Sequence, residues 1–565
     1  GRADLLDHEA TFERNPMRQR HLTVVGLVVV AGLLGCRDFL ATGNQNNPDR
    51  GRVFERPADV EQLIGNTYIQ VHNGTIGDDN DALQPQFLAM ALESYSQLGN
   101  FGMGIRAGIP RVPISNQKGN QTYAGNYHDW SALSRGARTA SNGVAAFNTA
   151  GFTTGDAARD RRALAFAWFS LGTSLGNLAL AYDSGTVITP VDEFPFVPDL
   201  VSYDQVMVAA LASLDSAIAV ANAGPMDDID AAWLMNSPTY GTWSPENFVK
   251  LVRSYKARFR AGVARTPAER AAVDWDQVIS DVENGIDEDF TLDIDRSKGY
   301  DLAWPIQHYL FDTWHMAPAP YIGMADSSGG YDTWLDTPVA QRGPFLIRTA
   351  DKRFPSGNTR ADQNASSPTV PDASGRPYFR NRAPGSDRPG DTWALSYYDF
   401  YRFYAFYRAD RRGLYPVMTK AELDLLAAEG YIRKDNIPAA TALIDKTRTT
   451  RGELPALSGV VLTATDPVPG GQGCVPRVPQ GPSFTTAACG TVMEAMKWEK
   501  RVETAFTGYG MWYFDSRGWG DLPEGTAMHF PVPYQELETR SSTNPYYDMG
   551  GVGNPGGVPK GTYGF

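Results

Sequence analysis

Cysteine is scarce in this 565-residue chain, at three residues, so each position can be read separately. Charge is also sparse, at 20% of residues against roughly 25% in average usage, and basic residues are in the minority. With 51 lysines and arginines against 64 aspartates and glutamates, the net charge of -13 repels a polyphosphate backbone, which excludes nucleic acid as a partner class. Histidine numbers seven and no H-E-x-x-H spacing occurs, so no metal site or cofactor is expected. His308 and His315 could share a helix face, but Pro305 and Pro318 bracket them. The apolar run from Leu22 to Gly35 falls short of the roughly 20 residues a membrane-spanning helix needs. What the chain does have is a 42% hydrophobic content, which rules out simple disorder and allows a sizeable core. It has 56 glycines and 38 prolines, about one residue in six against roughly one in eight on average, so much of it must be loop. Its 12 Trp and 26 Tyr suit binding surfaces as well as cores.

Arg18, Arg20 and His21 precede the apolar run, which ends Leu33-Leu34-Gly35-Cys36. A basic region, a short apolar core and a cysteine at the cut read as a signal peptide, and the ending is similar to the bacterial lipobox. Lipidation at Cys36 would anchor the chain to a membrane without spanning it. Asp4, Asp7, Glu9 and Glu13 do not suit a signal peptide, so Met17 is the expected start and residues 1–16 an upstream extension. The expected order is then signal peptide 17–35, lipid-anchored tether 36–47 and a single domain 48–565. Export favours a disulfide between Cys474 and Cys489, which flank a Gly/Pro/Thr-rich stretch. Closing a loop of about 15 residues would contribute roughly 3 kcal/mol in the chain-entropy model.

The chain reads as all-α. Pro57 followed by apolar residues at helical spacing predicts a helix start, and a second helix is predicted over 81–98. A long loop is expected over 99–127. Helical periodicity returns over 156–181, 203–223, 247–264, 275–286, 420–433 and 438–451, the last two joined by Lys434-Asp435-Asn436. Such pairs suggest a helical-repeat frame, mainly within 48–286 and 416–451. Ala428, Tyr431, Ala440 and Ile444 fall at the small, aromatic, small and large-apolar offsets of a tetratricopeptide repeat, and Trp168-x-x-Leu171-Gly172 begins a weaker match. Between about 287 and 415 the pattern dissolves into Pro, Gly and aromatics, and loops of that length are uncommon unless functional.

Two motifs look catalytic and lack the context. Gly172-Thr173-Ser174-Leu175-Gly176 matches G-x-S-x-G, but both flanks read helix where a nucleophile elbow needs a preceding strand. Gly551-Val552-Gly553-Asn554-Pro555-Gly556 matches G-x-G-x-x-G with neither strand nor helix, and reads as a flexible tail. No catalytic residues are assigned.

Three segments together resemble the SusD/RagB-like outer-membrane nutrient-binding lipoproteins. The first is Cys36 followed by Arg37-Asp38-Phe39-Leu40. The second runs from Tyr415-Pro416-Val417-Met418 through Ala427-Ala428-Glu429-Gly430 to Asp445-Lys446-Thr447-Arg448, with Asp445 where the family usually has Asn. The third, within 490–540, is Glu494-Ala495-Met496-Lys497-Trp498-Glu499-Lys500-Arg501-Val502-Glu503 followed by Tyr513-Phe514-Asp515-Ser516-Arg517-Gly518-Trp519-Gly520. Met511 and Trp512 occupy the stretch where the family carries an arginine.

The resemblance implies a lipid-anchored protein at the outer-membrane cell surface, built on tetratricopeptide-like helices, that is not an enzyme. It implies delivery of a nutrient, most often an oligosaccharide or other glycan, to a SusC-like TonB-dependent transporter, with the helical repeats toward the barrel and the loop-rich side toward ligand. A sugar presents an apolar C–H face and a hydroxyl rim, so aromatic platforms with polar neighbours suit it. By position the candidates are Asn100, Phe101, Trp304, Trp314, Tyr321 and Trp334. Glu499, Arg501, Asp515 and Arg517 are expected to form one buried charge network covered by Trp512, Phe514 and Trp519. Two other readings are a tetratricopeptide-type envelope adaptor and a lipid-anchored surface hydrolase.

Overall fold

The computed structural model describes residues 56–77, 82–119, 125–190, 198–302, 316–368, 376–382 and 393–565. The signal-peptide, Cys36 and tether expectations, together with Trp304, His308, Trp314 and His315, lie outside the described residues. Val60 to Phe565 form one compact unit.

Twelve principal helices carry the architecture of the described residues: α1 (Pro57–Gly65), α2 (Thr67–Asn73), α3 (Gln84–Met90), α4 (Gly125–Asn148), α5 (Ala157–Ala181), α6 (Tyr203–Asn222), α7 (Pro245–Gly262), α8 (Trp275–Glu283), α9 (Lys420–Arg433), α10 (Ile437–Arg448), α11 (Val492–Thr504) and α12 (Met511–Trp519). Local chemistry sets their starts. Asp156 accepts from Ala158 and Arg159 N–H ahead of α5, and Ser244 caps α7 with Pro245 at its first position. Thr419 caps α9, and Asn436 caps α10 with a proline in its first turn. Each cap satisfies a backbone donor that has no partner within its helix.

The helices stack in neighbouring pairs: α5 against α4 and α6, α7 against α6 and α8, and α9 against α8, α10 and α11. Small residues mark the close crossings. A Cβ on Gly172 of α5 would lie 2.7 Å from Leu214 Cγ and 2.9 Å from the Ala210 carbonyl oxygen of α6. Ala428, Ala440 and Ile444 are fully buried between α9 and α10, and Tyr431 is half-buried, donating its hydroxyl to Glu283 at 2.7 Å. The frame is the expected tetratricopeptide-like one. Ser174 is buried in mid-α5, away from any strand-to-helix turn.

Among the described residues strands are short and occur as four two-stranded antiparallel sheets: β1 (Ser184–Thr186) with β2 (Leu200–Ser202), β3 (Phe290–Ile294) with β6 (Gly413–Met418), β4 (Phe379–Asn381) with β5 (Tyr398–Phe400), and β7 (Arg477–Pro479) with β8 (Ala487–Cys489). The β3–β6 pair, which sets Leu292 opposite Tyr415, brackets the loop-rich region as an insertion closed at its base. Within it lie short helices at Ala319–Ile322, Gly330–Asp336 and Arg360–Ser366.

Three expectations are corrected. Helix is limited to Gln84–Met90 of the predicted 81–98, and a short helix Met103–Ala107 interrupts the expected loop, which ends as α4 begins at Gly125. The α4 sequence is rich in Ser, Asn, Gly and Ala, and its packing face intersperses Trp130, Leu133 and Val144 with Ala132, Ala137, Ala140 and Ala146, so hydrophobicity alone does not reveal it. The glycine-rich C-terminal segment is docked along the body. Met549 and Ile114 exchange N–H···O bonds of 2.7 and 3.0 Å, Val558 N–H donates to Thr526 at 3.0 Å, and Tyr563 and Phe565 are buried.

The expected charge network exists in a different form. On α11, Lys497, Glu499, Lys500, Arg501 and Glu503 are all buried. Glu499 accepts from Arg353 at 2.7 and 2.9 Å and from Thr447 at 2.9 Å. Asp515 accepts from Arg270 at 3.0 Å and from Lys500. Arg501 donates to Asp521 and, at 3.1 Å, to the Tyr563 hydroxyl. Arg517 meets the carbonyls of Met528 and Gly262 at 2.8 and 3.0 Å. The four signature residues therefore serve separate clusters rather than one another. Aromatic rings lie over two of them, with Arg501 5.0 Å from the Trp519 ring centre and Arg517 4.7 Å from that of Phe514.

Candidate ligand-binding cavity

The disulfide between Cys474 and Cys489 ties the β7–β8 hairpin at its base, and the tip of that hairpin carries Ser483, Phe484 and Thr485. Two further contacts hold it to the helix Gly330–Asp336: Ala487 N–H donates to Asp332 at 2.6 Å, and Arg477 reaches the same carboxylate at 3.4 Å. The tip forms one wall of a cavity of about 430 Å³. The segment Leu335–Arg342 forms another, Ile109 and Pro110 a third, and the docked C-terminal segment from Lys560 to Phe565 completes it.

Its surface combines rings with a polar rim. Phe484, Tyr563 and Phe565 contribute aromatic faces or edges, and Asp336, Arg342, Glu524 and Lys560 contribute two charges of each sign. Lys560 Nζ stands 4.9 Å from the Phe484 ring centre. Phe484 has a positive φ of 55°, and a Cβ at Gly564, whose own φ is +88°, would lie 2.5 Å from its ring. Only glycine allows that close approach. The volume falls within the usual range for small-ligand sites, roughly 300–1,000 Å³.

Two of the sequence candidates lie one layer behind this surface. Tyr321 is 1% exposed, set edge-on to Trp512, Tyr563 and Phe565 with centroid separations of 5.6, 5.7 and 5.8 Å. The Arg501 guanidinium lies 4.6 Å from its ring centre, and burial pushes the Tyr321 hydroxyl up to about 12. Trp334 is 3% exposed, stacked on Tyr331 at 5.8 Å, with the Arg342 guanidinium 4.2 Å from its centroid. Arg342 also donates to the Leu335 and Thr337 carbonyls, both at 3.0 Å, which folds that wall back on itself. Both rings therefore support the lining rather than form it.

Asn100 and Phe101 begin a single 3-10 turn, in which Phe101 has a φ of 55° and is half-buried; the cavity takes Ile109 and Pro110 from the same segment instead. Phe484, Lys560 and Phe565 were not singled out by sequence. The available signal was a lone aromatic after Gly481-Pro482-Ser483, inside a loop closed by two cysteines.

A larger groove of about 890 Å³ lies among the helices α7, α8, α9 and α10. Ion pairs line it, Lys446 with Asp424 and Lys250 with Asp287, each at 3.0 Å, beside Tyr431 and Leu443. It shares no lining residue with the loop cavity. Among the described residues no cluster of His, Cys, Asp and Glu has the arrangement of a metal site.

No protein-family model matches this sequence, and no curated protein matches it. Solved structures do. A SusD homolog from Parabacteroides distasonis has a TM-score of 0.54 at 12% identity, covering 85% of this chain and 93% of that chain. A SusD superfamily protein from the same organism has a TM-score of 0.52 at 10% identity, covering 86% of this chain and 97% of that one. The likeness extends along the chain and is one of fold, so the fold expected from the resemblance in sequence is the fold found.

Proposed function

From the SusD-type fold, we propose that this chain is a cell-surface, outer-membrane binding protein, lipid-anchored at Cys36, that captures a glycan and delivers it to a SusC-like TonB-dependent transporter. The fold match over 85% of the chain carries the reading. The loop cavity supports it further. Its aromatic floor suits the C–H face of a sugar ring, and its mixed rim offers donors and acceptors without a net charge, as a polyhydroxylated neutral unit requires. The helical groove, whose lining is charged and self-paired, suits a protein surface better than a small apolar ligand.

Purification of the chain from native envelopes in mild detergent, with mass spectrometry of what accompanies it, tests the partner. A large barrel protein in near-equal amount is the expected result, and its absence would overturn the transporter assignment. Calorimetry of the purified chain against a panel of oligosaccharides tests the ligand. Recovery of envelope proteins with no oligosaccharide binding would favour the adaptor reading, which the size of the helical groove makes the second choice.

A further inference from the structure

The segment Tyr397–Arg412 is unusually dense in tyrosine, phenylalanine and arginine, and the fold sorts them by role. Phe403 and Phe406 turn inward, each packing 4.9 Å from the Tyr415 ring. Tyr401, Tyr404 and Tyr407, spaced three apart, stack in a row, with centroid separations of 4.5 and 6.1 Å and interplanar angles of 20°. The row is rooted at Tyr401, which is buried, and leads outward to Tyr404 and Tyr407, which are half-buried. A guanidinium accompanies each ring: Arg380 at 5.2 Å from Tyr401, Arg408 at 6.0 Å from Tyr404 and Arg411 at 5.1 Å from Tyr407. Arg380 also donates to the Tyr401 hydroxyl at 2.9 Å. Arg408 is exposed, and no carboxylate among the described residues lies within ion-pair distance of it. Asp410 is shared by Arg411 and Arg412 at 3.8 and 3.9 Å.

Core packing accounts for Tyr401 but not for the two outer rings, Tyr404 and Tyr407, since Phe403 and Phe406 pack on Tyr415 on the inward side. Stacked tyrosines rimmed by guanidinium groups offer flat apolar edges, hydroxyl donors and fixed positive charge in alternation. We propose that this tyrosine–arginine ladder is a second binding site, for a polysaccharide that carries carboxylate or sulfate groups. The inference rests on the reading of the chain as a glycan-binding protein and adds the charge class of the ligand. The net charge of -13 does not oppose it, because at physiological salt charges beyond about 8 Å are screened and the local arginines dominate.

Affinity electrophoresis and calorimetry of the full chain with polygalacturonate and heparin, against starch and xyloglucan as neutral probes, test the assignment. Binding of an acidic probe should weaken with salt. Three guanidinium contacts give a logarithmic slope of about -2, roughly a 20-fold loss for a fourfold rise in salt. Arg408→Gln with Arg411→Gln should lower that affinity about tenfold or more, as should Tyr404→Ala with Tyr407→Ala. Arg408 is exposed whereas the Arg411 side chain is 17% exposed, so Arg408→Gln alone, expected to lower affinity severalfold, keeps the test valid should either double variant impair folding. Binding of neutral glycans alone would overturn the ladder and leave the glycan reading standing, whereas binding of no glycan would overturn both. Equal binding of single-stranded DNA, or ladder-dependent binding to phosphatidylglycerol vesicles without polygalacturonate binding, would overturn the polysaccharide assignment.

Discussion

Glu93 is buried and accepts the Phe506 N–H at 2.6 Å, with no cation in ion-pair contact among the described residues. Burial pushes its carboxyl from 4.5 up to about 8. The folded chain therefore keeps a proton that the unfolded chain releases, so the stability this group contributes is full below pH 4.5 and is lost as pH rises through about 8. Glu93→Gln removes that dependence. Urea midpoints at pH 5 and pH 8.5 should diverge, the variant gaining up to a few kcal/mol over the parent at the higher pH; parallel curves would refute the assignment. Arg270 has the opposite character, fully buried between Glu429, which it contacts at 2.9 Å, and Asp515 at 3.0 Å. Burial raises the Glu429 carboxyl, but Arg270, with Arg433 and Lys500, outweighs it and holds it at about 2. Stability from Glu429 is thus present above pH 4.5 and lost as pH falls toward 2. Arg270→Met should cost about 3–5 kcal/mol in urea unfolding at pH 7, because a buried carboxylate loses its partner. The sequence pointed to four charges of the third segment, Glu499, Arg501, Asp515 and Arg517, but not to Lys497, Lys500 and Glu503, which are buried beside them, nor to the partners of any of them. Glu499 finds Arg353, and Asp515 finds Arg270, contacts set by tertiary packing that no local spacing encodes.

Gly172 shows how an element is held by what it lacks. A glycine inside a helix ordinarily costs about 1 kcal/mol relative to alanine, so Gly→Ala should stabilise on propensity alone. Here the new methyl would meet Leu214 and the Ala210 carbonyl of α6 within 3 Å. Gly172→Ala should therefore lower stability by about 1–3 kcal/mol, the usual cost of overpacking, and a rise in Tm would show that α5 and α6 do not pack so closely. This position was legible in sequence through the weak match beginning at Trp168. The long helices α5, α6 and α7 were equally legible, because each carries an apolar stripe at helical spacing, and α5 and α7 also carry their own caps. Helix α4 was not: its buried face spaces Trp130, Leu133 and Val144 among alanines, so the stripe is weak beside its Ser, Asn and Gly. The docked C-terminal segment also escaped notice, since glycines that serve close backbone pairing look the same in sequence as glycines that serve freedom.

At the scale of the whole molecule, the two cavities draw on different parts of the chain. The helical groove is built from repeats whose pattern is readable, whereas the loop cavity assembles six stretches spanning Ile109 to Phe565 that no periodicity links. That separation explains why sequence named Tyr321 and Trp334, which lie behind the cavity surface, and missed Phe484, which only the disulfide-closed hairpin brings to that surface. It also makes the two proposed activities separable by mutation. Phe484→Ala removes a ring from the cavity and touches no groove residue, so oligosaccharide affinity should fall about tenfold or more while recovery of the envelope partner is unchanged. Lys250→Glu with Lys446→Glu reverses two charges in the groove, leaving like charges facing Asp287 and Asp424. Partner recovery should drop and oligosaccharide affinity should hold, because rim and groove charges act on the local surface they face. If either variant abolished both activities with its Tm unchanged, the cavities would have to act as one site, and the division between a ligand-facing loop region and a partner-facing helical region would fail.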